Sequence, residues 1–151
     1  MTAVIQRIKN AKVIADGVLS GQVNHGLYIL LGVINGDTEN DVNLLAEKIV
    51  KLRIFEDNAG KMNLSVLDVD GEIMVVSNFT LAADYSHGNR PSYIAAAAPS
   101  EANSIYNSFV NALKTKVKNV QTGVFGADMQ TEMTTDGPVT IVMHSSILSK
   151  K

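Results

Sequence analysis

Thr2-Ala3-Val4-Ile5-Gln6-Arg7-Ile8-Lys9-Asn10-Ala11-Lys12-Val13-Ile14-Ala15, closed by Asp16-Gly17 and answered by Val18-Leu19-Ser20-Gly21-Gln22-Val23, is the stretch that decides the architecture. The segment 2–15 reads as one long strand, Asp-Gly is a two-residue hairpin signal, and 18–23 reads as the returning strand. Working outward, His25-Gly26 leads into Leu27 to Val33, an apolar run suited to a buried strand. Thr38 opens a helix, with Asp41 as a weak capping-box partner and Val42, Leu45, Ala46, Ile49 and Leu52 recurring at helical spacing. Asp57 to Gly60 is a turn, and Met62 to Val69 and Glu72 to Leu81 read as strands joined by Asp70-Gly71. Residues 82–98 form an irregular connection containing Ser86-His87-Gly88-Asn89-Arg90-Pro91, long enough to point to function. Pro99-Ser100-Glu101 opens a second helix, with Ala102, Ile105, Phe109, Leu113 and Val117 on one side. Val120 to Phe125, Met129 to Thr135 and Val139 to His144 complete a strand-rich C-terminal part.

About eight strands and two amphipathic helices, with hairpins dominating, predict an α+β domain. The expectation is two packed sheets, barrel-like, covered on one face by the two helices. The span 1–151 reads as a single domain with 145–151 as a loose tail. There is no internal repeat, linker or low-complexity segment, and strand order is not readable.

A chain of 151 residues can bury roughly two-thirds of its unfolded surface, enough for a core without staples. With no cysteine, disulfides, thiolate metal sites and a Cys nucleophile are excluded. Arg7 and Lys9 interrupt any signal-peptide h-region, and no apolar run approaches the roughly 20 residues of a membrane span. A soluble, cytoplasmic protein is expected. A formal charge of −2 argues against a long electrostatic footprint on duplex nucleic acid, so no DNA partner is expected. It leaves open a protein that grips a single-stranded end by stacking and hydrogen bonds.

Two low-charge segments depart from ordinary core. Ser77-Asn78-Phe79-Thr80-Leu81 follows the apolar run Ile73 to Val76 and changes abruptly to hydroxyl and amide side chains, as where a buried strand opens into a site. If the strand ends near Asn78, the next N–H groups lose their ladder partners and can point at a ligand, as an oxyanion hole requires. The same hydroxyls would serve equally well to satisfy a strand end. Thr135-Asp136-Gly137-Pro138-Val139-Thr140 places Gly before Pro ahead of a strand. It is either a turn into an edge strand or, as a cis bond, a wall of rigid carbonyls able to exclude a substituent by overlap. His25, His87 and His144 are scattered without metal-ligand spacing and read as turn or surface residues. No nucleophile elbow, phosphate loop or dinucleotide fingerprint is present, and neither a metal nor a cofactor is expected.

At these two segments the chain strongly resembles the D-aminoacyl-tRNA deacylases, whose signatures are a Ser-Gln-Phe-Thr-Leu strand end and an Asn-x-Gly-Pro-Val-Thr segment. Supporting stretches run nearly end to end, among them Val4-Ile5-Gln6-Arg7, Leu52-Arg53-Ile54-Phe55, Gly60-Lys61-Met62-Asn63-Leu64-Ser65 and Phe125-Gly126-Ala127-Asp128-Met129. The resemblance implies a homodimeric hydrolase acting on the 3′ end of tRNA. It would cleave the ester of a D-amino acid, or of misplaced glycine, with the terminal adenosine as translation proofreading. It further implies that Gly137 and Pro138 are joined by a cis bond, reach into the partner's pocket to reject L-amino acids, and are steadied by Arg7. Ser77, Asn78, Phe79 and Thr80 would line the pocket and bind adenosine and ester, and Met129 would contact the adenine. Asn78 stands where the family usually has Gln, and Thr135 where it has Asn.

With no protein base in view, substrate-assisted hydrolysis is the expected mechanism. The ribose hydroxyl vicinal to the ester would orient or activate water, while N–H groups near Phe79 and Thr80 stabilise the oxyanion. The rivals are Thr80 as nucleophile, a non-catalytic binder of tRNA 3′ ends, and a structural dimer module.

Overall fold

The computed structural model describes residues 1–148. Its spine is β1 (Thr2–Ala15), paired along both edges. Along one edge β2 (Val18–Val23) and β3 (Gly26–Gly32) lie end to end, opposing Ala11 to Ala15 and Thr2 to Ile8 respectively. The break between them needs a glycine. A Cβ on Gly26, whose φ is +159°, would lie 1.8 Å from the Glu72 carbonyl oxygen. Along the other edge runs β8 (Met129–His144), antiparallel throughout.

From β3 the sheet continues in parallel through β6 (Glu72–Ser77) to β7 (Val120–Thr122). Such neighbours require crossovers, which α1 (Glu39–Val50) and α2 (Pro99–Lys114) supply. β7 then returns towards β2, where Ser20 Oγ donates to the Thr122 carbonyl at 2.8 Å, so the six-stranded sheet nearly closes. A small sheet of β4 (Phe55–Glu56) and β5 (Met62–Leu64) stands beside it. The expected α+β, barrel-like, helix-covered fold is what the chain adopts, with helical crossovers where hairpins were anticipated.

Strand alternation divides the core. Ile5, Ile29, Ile73 and Val75 face the helices and meet Leu45, Ile49, Phe109 and Leu113. Ile8, Val13, Met74 and Val76 fill the interior of the curved sheet. β6 is therefore apolar on both faces, the signature of a parallel strand buried twice. The N-terminus of α1 forms as expected, the Asp41 carboxylate accepting from the Thr38 N–H and hydroxyl at 2.9 Å each.

Several boundaries differ from the sequence reading. The strand expected over Met62–Val69 stops at Leu64, because Ser65 turns the chain by donating its N–H and Oγ to Asp68 at 2.7 Å each. The strand expected to Leu81 ends at Ser77, and that expected to Phe125 ends at Thr122. Met129 to His144 is one strand rather than two. Of the expected tail, Ser145–Leu148 form a helical turn, α3, whose Ser145 N–H bonds the Met1 carbonyl at 3.0 Å. Residues 149–151 lie outside the described part of the chain.

Candidate active site

The first constellation lies beyond the carboxyl ends of the parallel strands β3 and β6, where open α/β sheets commonly bind ligands. The ladder closes with the Asn78 N–H on the Leu31 carbonyl at 2.8 Å. Asn78 is extended, with φ −147° and ψ 92°, and the chain then tightens into a 3₁₀ turn, Phe79–Ala82. The turn is capped from its own start: Asn78 Oδ1 accepts from the Thr80 N–H at 3.2 Å and the Thr80 hydroxyl at 2.5 Å. An amide this short closes locally onto the residue two positions on, the usual behaviour of Asn at a cap.

The capping bond changes the expected oxyanion hole. The Thr80 N–H is already engaged by Asn78. Phe79 opens the turn, and its N–H, like the first N–H of any helix, has no carbonyl behind it in the turn to bond. The Phe79 N–H is thus a backbone donor that the turn leaves available to a ligand. The Thr80 hydroxyl meets an amide oxygen, which is not a base, and Thr80 is not among the residues lining the adjoining cavity.

That cavity has a volume of about 820 Å³. One wall is Ser77, Asn78 and Phe79; another is the Ala96-Ala97-Ala98 run leading into α2; Met129 lines it from β8. None of its lining residues is Asp, Glu, His, Lys or Arg. Its buried phenols are occupied: Tyr28 shares a hydrogen bond with Thr131 Oγ1 at 2.8 Å, and Tyr106 donates to the Val75 carbonyl at 2.9 Å. Burial pushes both phenols above the ordinary tyrosine range. The tyrosines and the small-residue wall escaped the sequence reading. The run Ala95-Ala96-Ala97-Ala98 just before a helix-opening Pro was the available signal. His25, His87 and His144 are all exposed and line no part of the cavity.

The second constellation is a bulge in β8. Gln6 faces Thr140 and Ile8 faces Thr135, so Asp136 to Val139 are looped out opposite the single residue Arg7. Arg7, only 6% exposed, fixes the loop. Its Nε lies 3.2 Å from both the carbonyl and Oδ2 of Asp136, and Nη1 donates to the Ile54 carbonyl at 2.7 Å. The Gly137–Pro138 peptide is cis, and both residues are exposed. Gly137 has φ +134°, and a Cβ there would sit 2.7 Å from the Val139 nitrogen, so only glycine fits without strain. Arg7, Gly137 and Pro138 do not line the cavity of their own chain. The structure therefore brings Ser77, Asn78, Phe79 and Met129 together at one place and Arg7, Gly137 and Pro138 at another.

A family model described as D-Tyr-tRNA(Tyr) deacylase matches residues 4–144. A "D-aminoacyl-tRNA deacylase" of Caldicellulosiruptor saccharolyticus is 52% identical over 145 residues, covering 96% of this chain and 97% of that one. The protein of that name from Thermosipho africanus shows the same identity and coverage. Among solved structures, a "c-Myc DNA Unwinding Element Binding Protein" superposes with a TM-score of 0.90 at 37% identity, covering 95% of this chain and 98% of that one. The structure titled as a probable eukaryotic D-amino acid tRNA deacylase superposes at a TM-score of 0.81. It covers 95% of this chain and 99% of that one, and at 13% identity it attests to the fold alone.

Proposed function

The chain belongs to the D-Tyr-tRNA(Tyr) deacylase family, and on that premise we propose that it hydrolyses the ester joining a D-amino acid, or glycine, to the terminal adenosine of tRNA. The observation that carries this reading is the strand-end turn that presents the Phe79 N–H beside a cavity without an ionisable base. Such a site can stabilise an oxyanion but cannot take a proton from water, so the proton relay falls to the substrate. Water adds to the ester carbonyl, and the negative charge developing on its oxygen meets the Phe79 N–H. The carbon–oxygen bond to ribose then breaks. The proton released by the water passes to the departing ribose oxygen through the vicinal hydroxyl, giving free amino acid and tRNA.

The Gly137–Pro138 bulge is assigned to selection. Because it lies outside its own chain's cavity, the reading has it serve the cavity of a second copy in a homodimer. There its rigid backbone would overlap the side chain of an L-residue and leave hydrogen or a D-side chain room. A wall of backbone atoms discriminates more sharply than an apolar pocket, which gives only about 1–3 kcal/mol per methylene. The expected setting is the cytoplasm, where charged tRNA is found; among the described residues no helix is long and apolar enough to cross a membrane.

The test is multiple-turnover hydrolysis of D-tyrosyl-tRNA, L-tyrosyl-tRNA and glycyl-tRNA against spontaneous loss. The D and glycyl esters should disappear with the L ester spared. Failure to exceed one product per chain would identify a binder of tRNA ends, and equal loss of the L ester would remove the selection role.

A further inference from the structure

Exposed apolar side chains lie at and near the rim of the cavity. Phe79 is 59% exposed, Ile94 87% and Tyr85 79%. Phe79 and Ile94 both line the cavity, as does Tyr93, whose ring meets that of Phe79 edge to face at 5.2 Å. Tyr85 belongs to the loop that springs from this rim. Asp84 and Ser92 pin its base by exchanging N–H to carbonyl bonds at 2.8 Å each. Asp84 Oδ1 also accepts from the Ser86 N–H at 2.9 Å, and Gly88 turns the tip with φ +70°. Arg90, on the returning limb, is exposed and takes part in none of the ion pairs among the described residues.

A loop held at its base, carrying an exposed ring and a guanidinium in no ion pair beside the mouth of the cavity, has the chemistry of a single-strand seat. Rings stack bases without regard to sequence, and guanidinium pairs with phosphate. We infer that the loop 85–91, with Tyr85 and Arg90, holds the unpaired nucleotides immediately 5′ of the terminal adenosine. Tyr85 stacks a base and Arg90 takes a backbone phosphate. This rests on the proposed substrate, since a polynucleotide whose last residue enters the cavity must leave across this rim. The occupant is single-stranded: the chain's net charge of −2 supplies no stripe for a duplex.

The experiment compares D-tyrosyl-tRNA with the D-tyrosyl ester of adenosine alone, using Tyr85→Ala, Tyr85→Phe and Arg90→Ala. For the tRNA ester, Tyr85→Ala should raise KM at least about fivefold with kcat little changed, the lower end of what stacking on one ring contributes. Tyr85→Phe should restore KM. Arg90→Ala should reduce the slope of log KM against log salt by about 0.7, as for one single-strand phosphate contact. Hydrolysis of the adenosine ester should be unaffected by all three. Equal losses on both esters, or an unchanged KM for the tRNA ester, would overturn the inference. Binding of an uncharged single-stranded oligonucleotide ending in CCA is read in parallel by fluorescence anisotropy. If the unsubstituted protein hydrolyses neither ester, the proposed function fails by itself. The seat then stands if Tyr85→Ala weakens oligonucleotide binding, and falls if it does not.

Discussion

Replacing Asn78 by Ala separates the two ways in which the Ser77 to Thr80 segment could act. The side chain holds two bonds, from the Thr80 N–H at 3.2 Å and the Thr80 hydroxyl at 2.5 Å. Removing a capping amide typically costs about 1 kcal/mol. The freed hydroxyl is exposed and finds water, so it adds little. For a domain of this size, about 1 kcal/mol lowers Tm by about 3 °C. The same energy released from the turn lowers the equilibrium constant for forming it about fivefold, since 1.4 kcal/mol is tenfold, which is the upper limit on the loss of the population that presents the Phe79 N–H. Asn78→Ala should therefore lower kcat/KM for D-tyrosyl-tRNA by at most about fivefold while shifting the melting curve by a few degrees. Thr80→Ala keeps the backbone N–H on Asn78 and should stay within about twofold of the unsubstituted protein, a small change by the tenfold-per-1.4 kcal/mol measure. The two variants are compared by thermal melting and by steady-state hydrolysis. Loss of activity in Thr80→Ala with Asn78→Ala unimpaired would refute the oxyanion-turn reasoning and install Thr80 as the nucleophile.

Other expectations are independent of this one. Gly137→Ala forces an L-residue to φ +134° with its Cβ 2.7 Å from the Val139 nitrogen, and should cost about 1–3 kcal/mol in chemical denaturation. Where that variant folds, its preference for D over L esters should fall; an unchanged ratio would detach the bulge from selection. Because no Asp, Glu, His, Lys or Arg lines the cavity, kcat/KM should show a single inflection near the substrate's own α-amine, about 7.7–8.0. A further acid limb near pH 6 would reveal an unrecognised protein base. Burial raises the Tyr28 and Tyr106 phenols in the folded state. The unfolded chain therefore loses protons first as pH passes about 10, and stability falls from there upward. Tyr106→Phe should flatten that alkaline decline, measured by denaturant midpoint from pH 8 to 11.

The sequence carried the parts of the fold that local chemistry specifies. Asp16-Gly17 marked the first hairpin, Thr38 and Asp41 the start of α1, and Pro99 the start of α2, and each forms where its residues indicate. Where short polar side chains compete with the ladder, the reading overshot: Ser65 with Asp68, and Asn78 with Thr80, each end a strand that apolar periodicity alone would continue. The parallel order of β3, β6 and β7 was not legible, because a strand buried on both faces looks alike whichever neighbour it has. The candidate residues could be named from their motifs, but not their division into two clusters. That division depends on the pairing of β1 with β8, and no local signal announces that Asp136 to Val139 will bulge against Arg7.

The pairing of β1 with β8 also bears on how the molecule comes into being. Thr2 meets His144 and Ala15 meets Met129, so the spine's second edge is filled by residues from the far end of the sequence. Closing a loop of that length costs entropy before any contact rewards it, which makes the step slow relative to the neighbouring hairpin. Until it happens, β1 offers an open row of amides and carbonyls, the surface on which chains mispair. Conditions that delay this closure, or that raise the chain concentration while it is pending, should favour aggregation through β1. Any population caught before closure would lack both the Arg7-braced bulge and the part of the cavity wall that Met129 and Thr131 supply from β8. A preparation refolded in haste is therefore the one in which neither cluster would be complete.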